Sequence, residues 1–373
     1  MSGDAQRAPT PLAQKLAQRI ARDGPIGIAA YIEACLHDSE HGYYRRQLAI
    51  GRAGDFVTAP EISQAFGELI GLWCAVVWQQ MGSPARLHLI ELGPGRGTLM
   101  RDGLRAARLV PAFNAALAVT LVESNHALEQ VQRETLAVEG VAITWERTIP
   151  AGDTPTIIIA NEFVDTLAAD QWVCRGGTWH TRCVGADADG NLAFVDGPPV
   201  AGAVLAPELP PPTEGDIFQP PAAALPDLAG ALATAGEPCA GLLIDYGHDR
   251  PSFGDTLQAV AAHRYIDPLA APGETDLSLQ VDFAALAAAL HDAGLASDGP
   301  VAQGEFLGRL GIVERASRLM AANPAKAAEI EASVARLIAP HGMGTRFRVL
   351  GFRGPALPPL PGLAPVDMPG SAP

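Results

Sequence analysis

Along the first forty residues the apolar positions recur at helical spacing: Leu12, Leu16 and Ile20, then Ile28, Tyr31, Ile32 and Cys35. The pattern predicts two helices between Pro11 and Leu36, broken at Gly24-Pro25. A glycine-rich loop at 51–54 precedes a further predicted helix over 63–80. All of this lies ahead of any strand pattern, so residues 1–85 are expected to form an N-terminal helical cap or flank. From Arg86 the rhythm changes. Short apolar runs appear at 86–93 (RLHLIELG), 117–124 (LAVTLVES), 141–146 (VAITWE), 154–162 (TPTIIIANE) and 240–247 (AGLLIDYG), with a helix-length stretch from Thr98 to Leu109 between the first two. Buried strands alternating with helices predict an α/β, mostly parallel, doubly wound sheet across 86–353, with ligands at the carboxyl ends of its strands. The detour at 171–236 holds short alternating segments and then a proline-rich stretch, which predicts an inserted β-meander followed by a connection. The proline-rich tail, 354–373, is expected to bury little and to be poorly ordered.

Composition narrows the functional classes. Hydrophobic residues make up 48% of the 373 positions and charged residues 18%, which supports a packed core. A net charge of −15 with no Lys/Arg run argues against nucleic acid as a partner, because phosphates demand basic patches. Lys15 and Lys326 are the only lysines, and neither adjoins a motif that a P-loop or Schiff-base enzyme would need. Five scattered cysteines without a C-x-x-C suit reduced thiols in a cytosolic-type compartment. No apolar run is long enough for a membrane span. Arg7, Arg19 and Arg22 fit a mitochondrial transit sequence, but Asp4 counts against one. The expected location is therefore the cytoplasm of a bacterium, or the mitochondrial matrix if the source is eukaryotic.

The sharpest motif follows the first strand: Glu91-Leu-Gly-Pro-Gly-Arg-Gly97-Thr. Gly93, Gly95 and Gly97 allow a tight turn and close approach of a ligand to the backbone. The third glycine comes one position too early for the dinucleotide fingerprint, and no lysine is present to cradle phosphate. G-x-G-x-G preceded by an acid is instead the signature of class I S-adenosylmethionine (SAM) methyltransferases. On that reading Glu91 meets the cationic methionyl end of SAM, and the glycine backbone packs against the nucleoside. Glu123, at the end of the second strand, can accept both ribose hydroxyls. The alternative is that Glu123 only caps the next helix.

A second polar group follows the fourth strand, at Asn161, Glu162 and Asp165. Paired carboxylates beside a methyl donor suit a guanidinium acceptor, whose plane must be fixed and from which one proton must leave. Helix capping is the competing account of Asn161 and Asp165. Asp245 and His248, at a third polar strand end, either line the acceptor pocket or are solvated. His37 and His41 have the spacing of a metal pair but no third ligand, so no metal is expected. His88, within the first strand, reads as a satisfied core histidine.

Taken together, GDFVTAPEIS, IELGPGRGTLMRD, LVES, IIIANEFVD, LLIDYG, HRYIDPLAAPGETDLSLQVDF, QGEFLGRLGI and MGTRFRVL resemble the MidA family of class I SAM-dependent methyltransferases. This family includes the mitochondrial complex I assembly factor. The similarity runs from about Ile26 to Gly351. It implies a Rossmann-like sheet of seven strands with an N-terminal helical extension and a β-rich insertion. It further implies arginine methylation of a protein partner such as a complex I subunit. Glu91, Gly93, Gly95, Gly97 and Glu123 match the donor motifs, Asn161, Glu162 and Asp165 the NEF-x-D element, and Asp55 and Thr58 a segment that closes over the site. The chain departs from the family's usual NEFFDALP at Val164 and at Thr166-Leu167-Ala168, which bears on the acceptor pocket. A small-molecule acceptor, or a SAM-binding assembly chaperone with little catalysis, are the competing readings. An oxidoreductase is disfavoured by the glycine spacing.

Overall fold

The computed structural model describes residues 9–45, 58–137, 140–203, 205, 209–261 and 264–363. Thr10 starts helix α1 (Pro11–Asp23) by accepting the Ala13 N–H at 3.0 Å, and Gly24, at φ 90°, ends it. Helix α2 (Ile28–His37), the single turn α3 (Ala59–Ile62) and α4 (Gln64–Gln80), capped by Ser63, follow. The central sheet is then built from β1 (Leu87–Leu92), β2 (Leu117–Val122), β3 (Ile143–Glu146), β4 (Thr156–Asn161), β5 (Cys239–His248), β6 (Ala296–Ala302) and β7 (Phe347–Arg353). Helix α5 (Thr98–Ala107) lies between β1 and β2, and α6 (His126–Leu136) between β2 and β3.

The strands lie in the order β3-β2-β1-β4-β5-β7-β6, with the first five parallel and β7 antiparallel to both neighbours. Winding reverses between β1 and β4, so a crevice opens at the carboxyl ends of those two strands. The five strands expected from periodicity are all present. β6 and β7 were expected only from the resemblance. β6 reads ASDGPVA, with no apolar run, and its register against β7 shifts between Asp298 and Val301.

The insertion forms an antiparallel sheet of Trp172–Arg175, Thr178–Ala186, Leu192–Pro199 and Ile217–Phe218. Its edge is extended by Ile26–Gly27, the link between α1 and α2. Those two helices pack with this sheet in one apolar cluster. α4 does not flank anything: it packs in the main core against α5 and the central sheet.

The start of the tail also differs from expectation. Leu360 and Leu363 are buried in the main core, the Trp73 indole N–H donates to the Pro361 carbonyl at 3.0 Å, and the Leu360 N–H donates to Asp298 at 3.0 Å. Two leucines three positions apart supply enough apolar area, and the neighbouring prolines reduce the entropy lost on docking.

Close helix packing sets the face of the sheet that carries the crevice. A Cβ on Gly71 would lie 2.5 Å from the Gly103 carbonyl oxygen, so α4 and α5 meet backbone to backbone. Glu68 on α4 accepts from Arg105 at 3.0 Å and from Arg315 at 2.7 Å, while Asp102 accepts from Arg101 and Arg105 at 3.0 Å. Gly71→Ala is therefore expected to cost about 1–3 kcal/mol in urea unfolding, through overpacking. Gly230→Ala, in an open helical position, should be neutral or stabilising by up to about 1 kcal/mol.

Candidate active site

The first wall of the crevice is the turn after β1. Gly93, Gly95 and Gly97 all have left-handed φ values (58°, 53° and 77°), a conformation that disfavours side chains. A Cβ at Gly93 would sit 2.9 Å from the Phe163 ring, which places the turn directly against the exit of β4. Glu91 is 3% exposed, and its Oε2 has no hydrogen-bond partner among the described residues. Burial raises its carboxyl to about 8. A buried oxygen left without a donor marks a place where a cationic or N–H-bearing ligand group compensates on binding.

Glu123 directly follows β2 and is also buried, which raises its carboxyl despite several donors. Its Oε1 accepts the Asn125 N–H at 2.7 Å, and its Oε2 accepts from the Gln132 amide at 3.0 Å. Gln132 is fully buried and also donates to the Gly95 carbonyl at 2.8 Å, while the Trp145 indole N–H donates to its Oε1 at 2.9 Å. One side chain thus ties the glycine turn to the acid of β2. Sequence reasoning missed it. The signal was a glutamine on the otherwise apolar stripe of Leu128 and Leu136, at i, i+4 and i+8 of α6.

The second wall is the exit of β4. Glu162 occupies a left-handed conformation (φ 52°), unusual for a residue with a Cβ and a mark of a constrained site. Its Oε1 accepts the Ala59 N–H at 2.9 Å and the Asn161 amide at 3.1 Å. Burial still raises it to about 7. Thr58, half-buried, precedes Ala59 as the N-cap residue of α3, so this part of the anticipated closing segment does reach the β4 exit. Asp55 lies outside the described residues.

Asp245, at the end of β5, accepts the Asp165 N–H at 3.0 Å and its own neighbour's N–H, that of Tyr246, at 2.9 Å. Burial raises both Asp165 and Asp245, and the charge of Asp165 raises Asp245 further. Asp165 Oδ1, Asn161 Oδ1 and the Tyr246 hydroxyl are buried without hydrogen-bond partners among the described residues. The Tyr246 hydroxyl faces Asp165 closely enough to raise its own pKa further, without reaching hydrogen-bond geometry. Tyr44 lies beside the same group, its pKa raised by burial and then by Asp276, Asp165 and Glu123. Neither tyrosine was anticipated as part of the site: Tyr44 comes from a segment remote from the acids in sequence, and Tyr246, although next to Asp245, reads as one more position of the strand run.

The remaining candidates separate. His248 is half-buried at the end of β5, with an unpartnered Nδ1. His88 meets the Thr120 hydroxyl at 2.7 Å and burial lowers its pKa, in keeping with a satisfied strand histidine. His37 packs against the Tyr44 ring. Among the described residues no group of three or more His, Cys, Asp or Glu is placed to hold a metal ion, and no helix is long and apolar enough to cross a membrane.

The site's geometry can be set beside known proteins. Residues 69–301 match the family model described as "Putative S-adenosyl-L-methionine-dependent methyltransferase". Curated relatives include "Protein arginine methyltransferase NDUFAF7, mitochondrial" of Danio rerio, 33% identical over 89% of this chain and 84% of that protein. The Homo sapiens protein of the same name is 32% identical over 92% of this chain and 83% of that one. Among solved structures, a Burkholderia thailandensis protein crystallised with S-adenosyl-homocysteine superposes with a TM-score of 0.84 over 98% of this chain and 99% of that one. Its 24% identity makes that a likeness of fold.

The orphaned acid beside the glycine turn gives a direct test. A carboxyl that titrates at 4.5 unfolded and about 8 folded holds its proton more tightly in the native state. Its contribution to stability is complete below pH 4.5 and is lost as pH rises through 8. The melting temperature of the ligand-free protein is therefore expected to fall from pH 6 to pH 9, and less steeply in Glu91→Gln. Parallel slopes would contradict the assignment.

Proposed function

Since the chain belongs to this family of S-adenosyl-L-methionine-dependent methyltransferases, we propose that it methylates an arginine side chain of a protein partner. The observation that carries this reading is the acidic group at the exit of β4 and β5. Asp245 is buried and Glu162 and Asp165 are half-buried at the neighbouring strand exits beside the glycine turn, with Asp165 Oδ1 left without a hydrogen-bond partner and no ion pair to any of the three among the described residues. A guanidinium is the acceptor such a group would favour, because its charge offsets the burial and its planar N–H groups match paired carboxylates.

On this reading Glu91, the backbone of Gly93, Gly95 and Gly97, and Glu123 hold the cofactor. Bound S-adenosyl-L-methionine supplies an electrophilic methyl group. Glu162, already fixed by Ala59 and Asn161, orients the guanidinium plane. Asp165, with Oδ1 open, takes the proton that leaves the nitrogen as the new N–C bond forms. Asn161 offers a further acceptor oxygen, and Asp245 positions Asp165 by holding its backbone N–H. The resemblance assigns Thr58 and Asp55 to a segment that closes over the site, and on this reading His248 stands on its acceptor side. The partner implied by the resemblance is a respiratory complex I subunit. The corresponding location is the bacterial cytoplasm, or the matrix in a eukaryote, the latter in line with the word mitochondrial in the relatives' names.

The test is methyl transfer from labelled S-adenosyl-L-methionine to proteins of a lysate from cells lacking this protein, read as methylarginine after hydrolysis. Glu162→Gln is expected to lower the rate about 100-fold or more, while leaving cofactor affinity within about twofold. An unchanged rate would sink the role given to Glu162. Because the clamp must be ionised, activity should fall as pH drops below about 7. A flat profile from pH 7 to pH 5 would contradict it.

A further inference from the structure

Beside the acidic group, on the far side of Tyr246, the structure has a second cavity of about 640 Å³ lined by Tyr246, Gln258, Tyr265, Gln280, Arg346 and Phe347. That volume lies within the range of ligand sites and suits several side chains of a bound segment. Tyr246 is the shared wall: its hydroxyl faces Asp165, while its ring packs on Phe347 at 5.6 Å and lines the cavity. The cleft and the acid group thus lie on either side of one side chain.

The lining is chemically specific. Arg346 is exposed and has no ion-pair partner among the described residues, although its neighbour in β7, Arg348, is paired with Asp249 at 2.7 Å. The Arg346 backbone carbonyl accepts the Gly247 N–H at 3.2 Å, which fixes the root of its side chain two residues from Asp245. The side-chain amides of Gln258 and Gln280 make no hydrogen bond among the described residues, so both can pair with an extended backbone. Tyr265 stands at the rim and is 69% exposed, one of few large apolar side chains left in water. An open cation with aromatic and amide groups beside it, and the acids behind the Tyr246 wall, describe a subsite for a bipolar peptide.

Resting on the arginine reading above, we propose that this cleft binds the acceptor's polypeptide next to the target arginine, and that Arg346 pairs with an acidic side chain there. At about 3.3 Å per extended residue, the acid would stand roughly two or three positions from the arginine. The protein's net charge of −15 repels acidic segments in general, so Arg346 would select those whose acid is placed to meet it.

The test uses synthetic eleven-residue peptides with a central arginine and Asp, Ser or Lys at the second and third flanking positions. Binding is read by fluorescence anisotropy with S-adenosylhomocysteine present, and methylation of the same peptides by mass spectrometry. The wild-type protein should bind the Asp peptides roughly fivefold more tightly than the Lys peptides. Arg346→Glu, a change at an exposed position, should reverse that order, and Arg346→Ala should abolish the discrimination. The same order and ratio in Arg346→Glu, or no binding of any peptide, would overturn the subsite. Peptides bound with charge discrimination yet never methylated would leave the subsite standing and overturn the arginine reading. Methylation indifferent to flanking charge would do the opposite.

Discussion

Burying carboxylates without cations is costly, and the carboxyl edge of this sheet does it repeatedly. Glu91, Glu123, Glu162, Asp165 and Asp245 are each desolvated, and burial is the largest cause of every one of their raised pKa values. Elsewhere the fold treats buried acids differently. Glu68, Asp102 and Asp298 all meet arginine side chains within 3.0 Å. The contrast separates acids that hold helices together from acids kept open for something that binds. It also makes the ligand-free site less stable than its surroundings require, which is a common mark of functional sites.

The rest of the architecture keeps those acids in place. The reversal of winding between β1 and β4 brings the glycine turn against Phe163, so that Glu91 and the acids at the exits of β4 and β5 gather at one edge of the sheet. Gln132 fastens the turn to Glu123, and Ala59 fastens α3 to Glu162. The glycine contact of α4 with α5 lets a helix from the N-terminal part lie deep in the core, close enough for α3 to reach the site. Backbone donors satisfy part of Glu123, Glu162, Asp165 and Asp245, and none is recorded for Glu91. Among the described residues no side-chain cation forms an ion pair with any of them.

Much of this was legible in the sequence, because the strongest signals are local. Buried parallel strands read as apolar runs, and the turn that follows β1 needs glycine for steric reasons that hold whatever surrounds it. The acids at strand ends were visible for the same reason. What was not legible depends on long-range packing. β6 has no apolar run and forms only because β7 lies beside it. Leu360 and Leu363 read as part of a proline-rich tail, yet they fill space beside Phe306 and Gly351. Gln132, Tyr44 and Tyr246 join the site from segments whose own spacing announces helix, turn or strand and nothing more. Arg346 becomes notable only once its neighbours are known to lack a claim on it.

Calorimetric titration of the purified protein with S-adenosyl-L-methionine, beside its Glu123→Ala variant and beside NAD, tests the account most directly. The account predicts saturable 1:1 binding of S-adenosyl-L-methionine, weakened about tenfold or more in Glu123→Ala, and no binding of NAD. Equal affinity in the two proteins would contradict the placement of the cofactor between the glycine turn and the acid of β2.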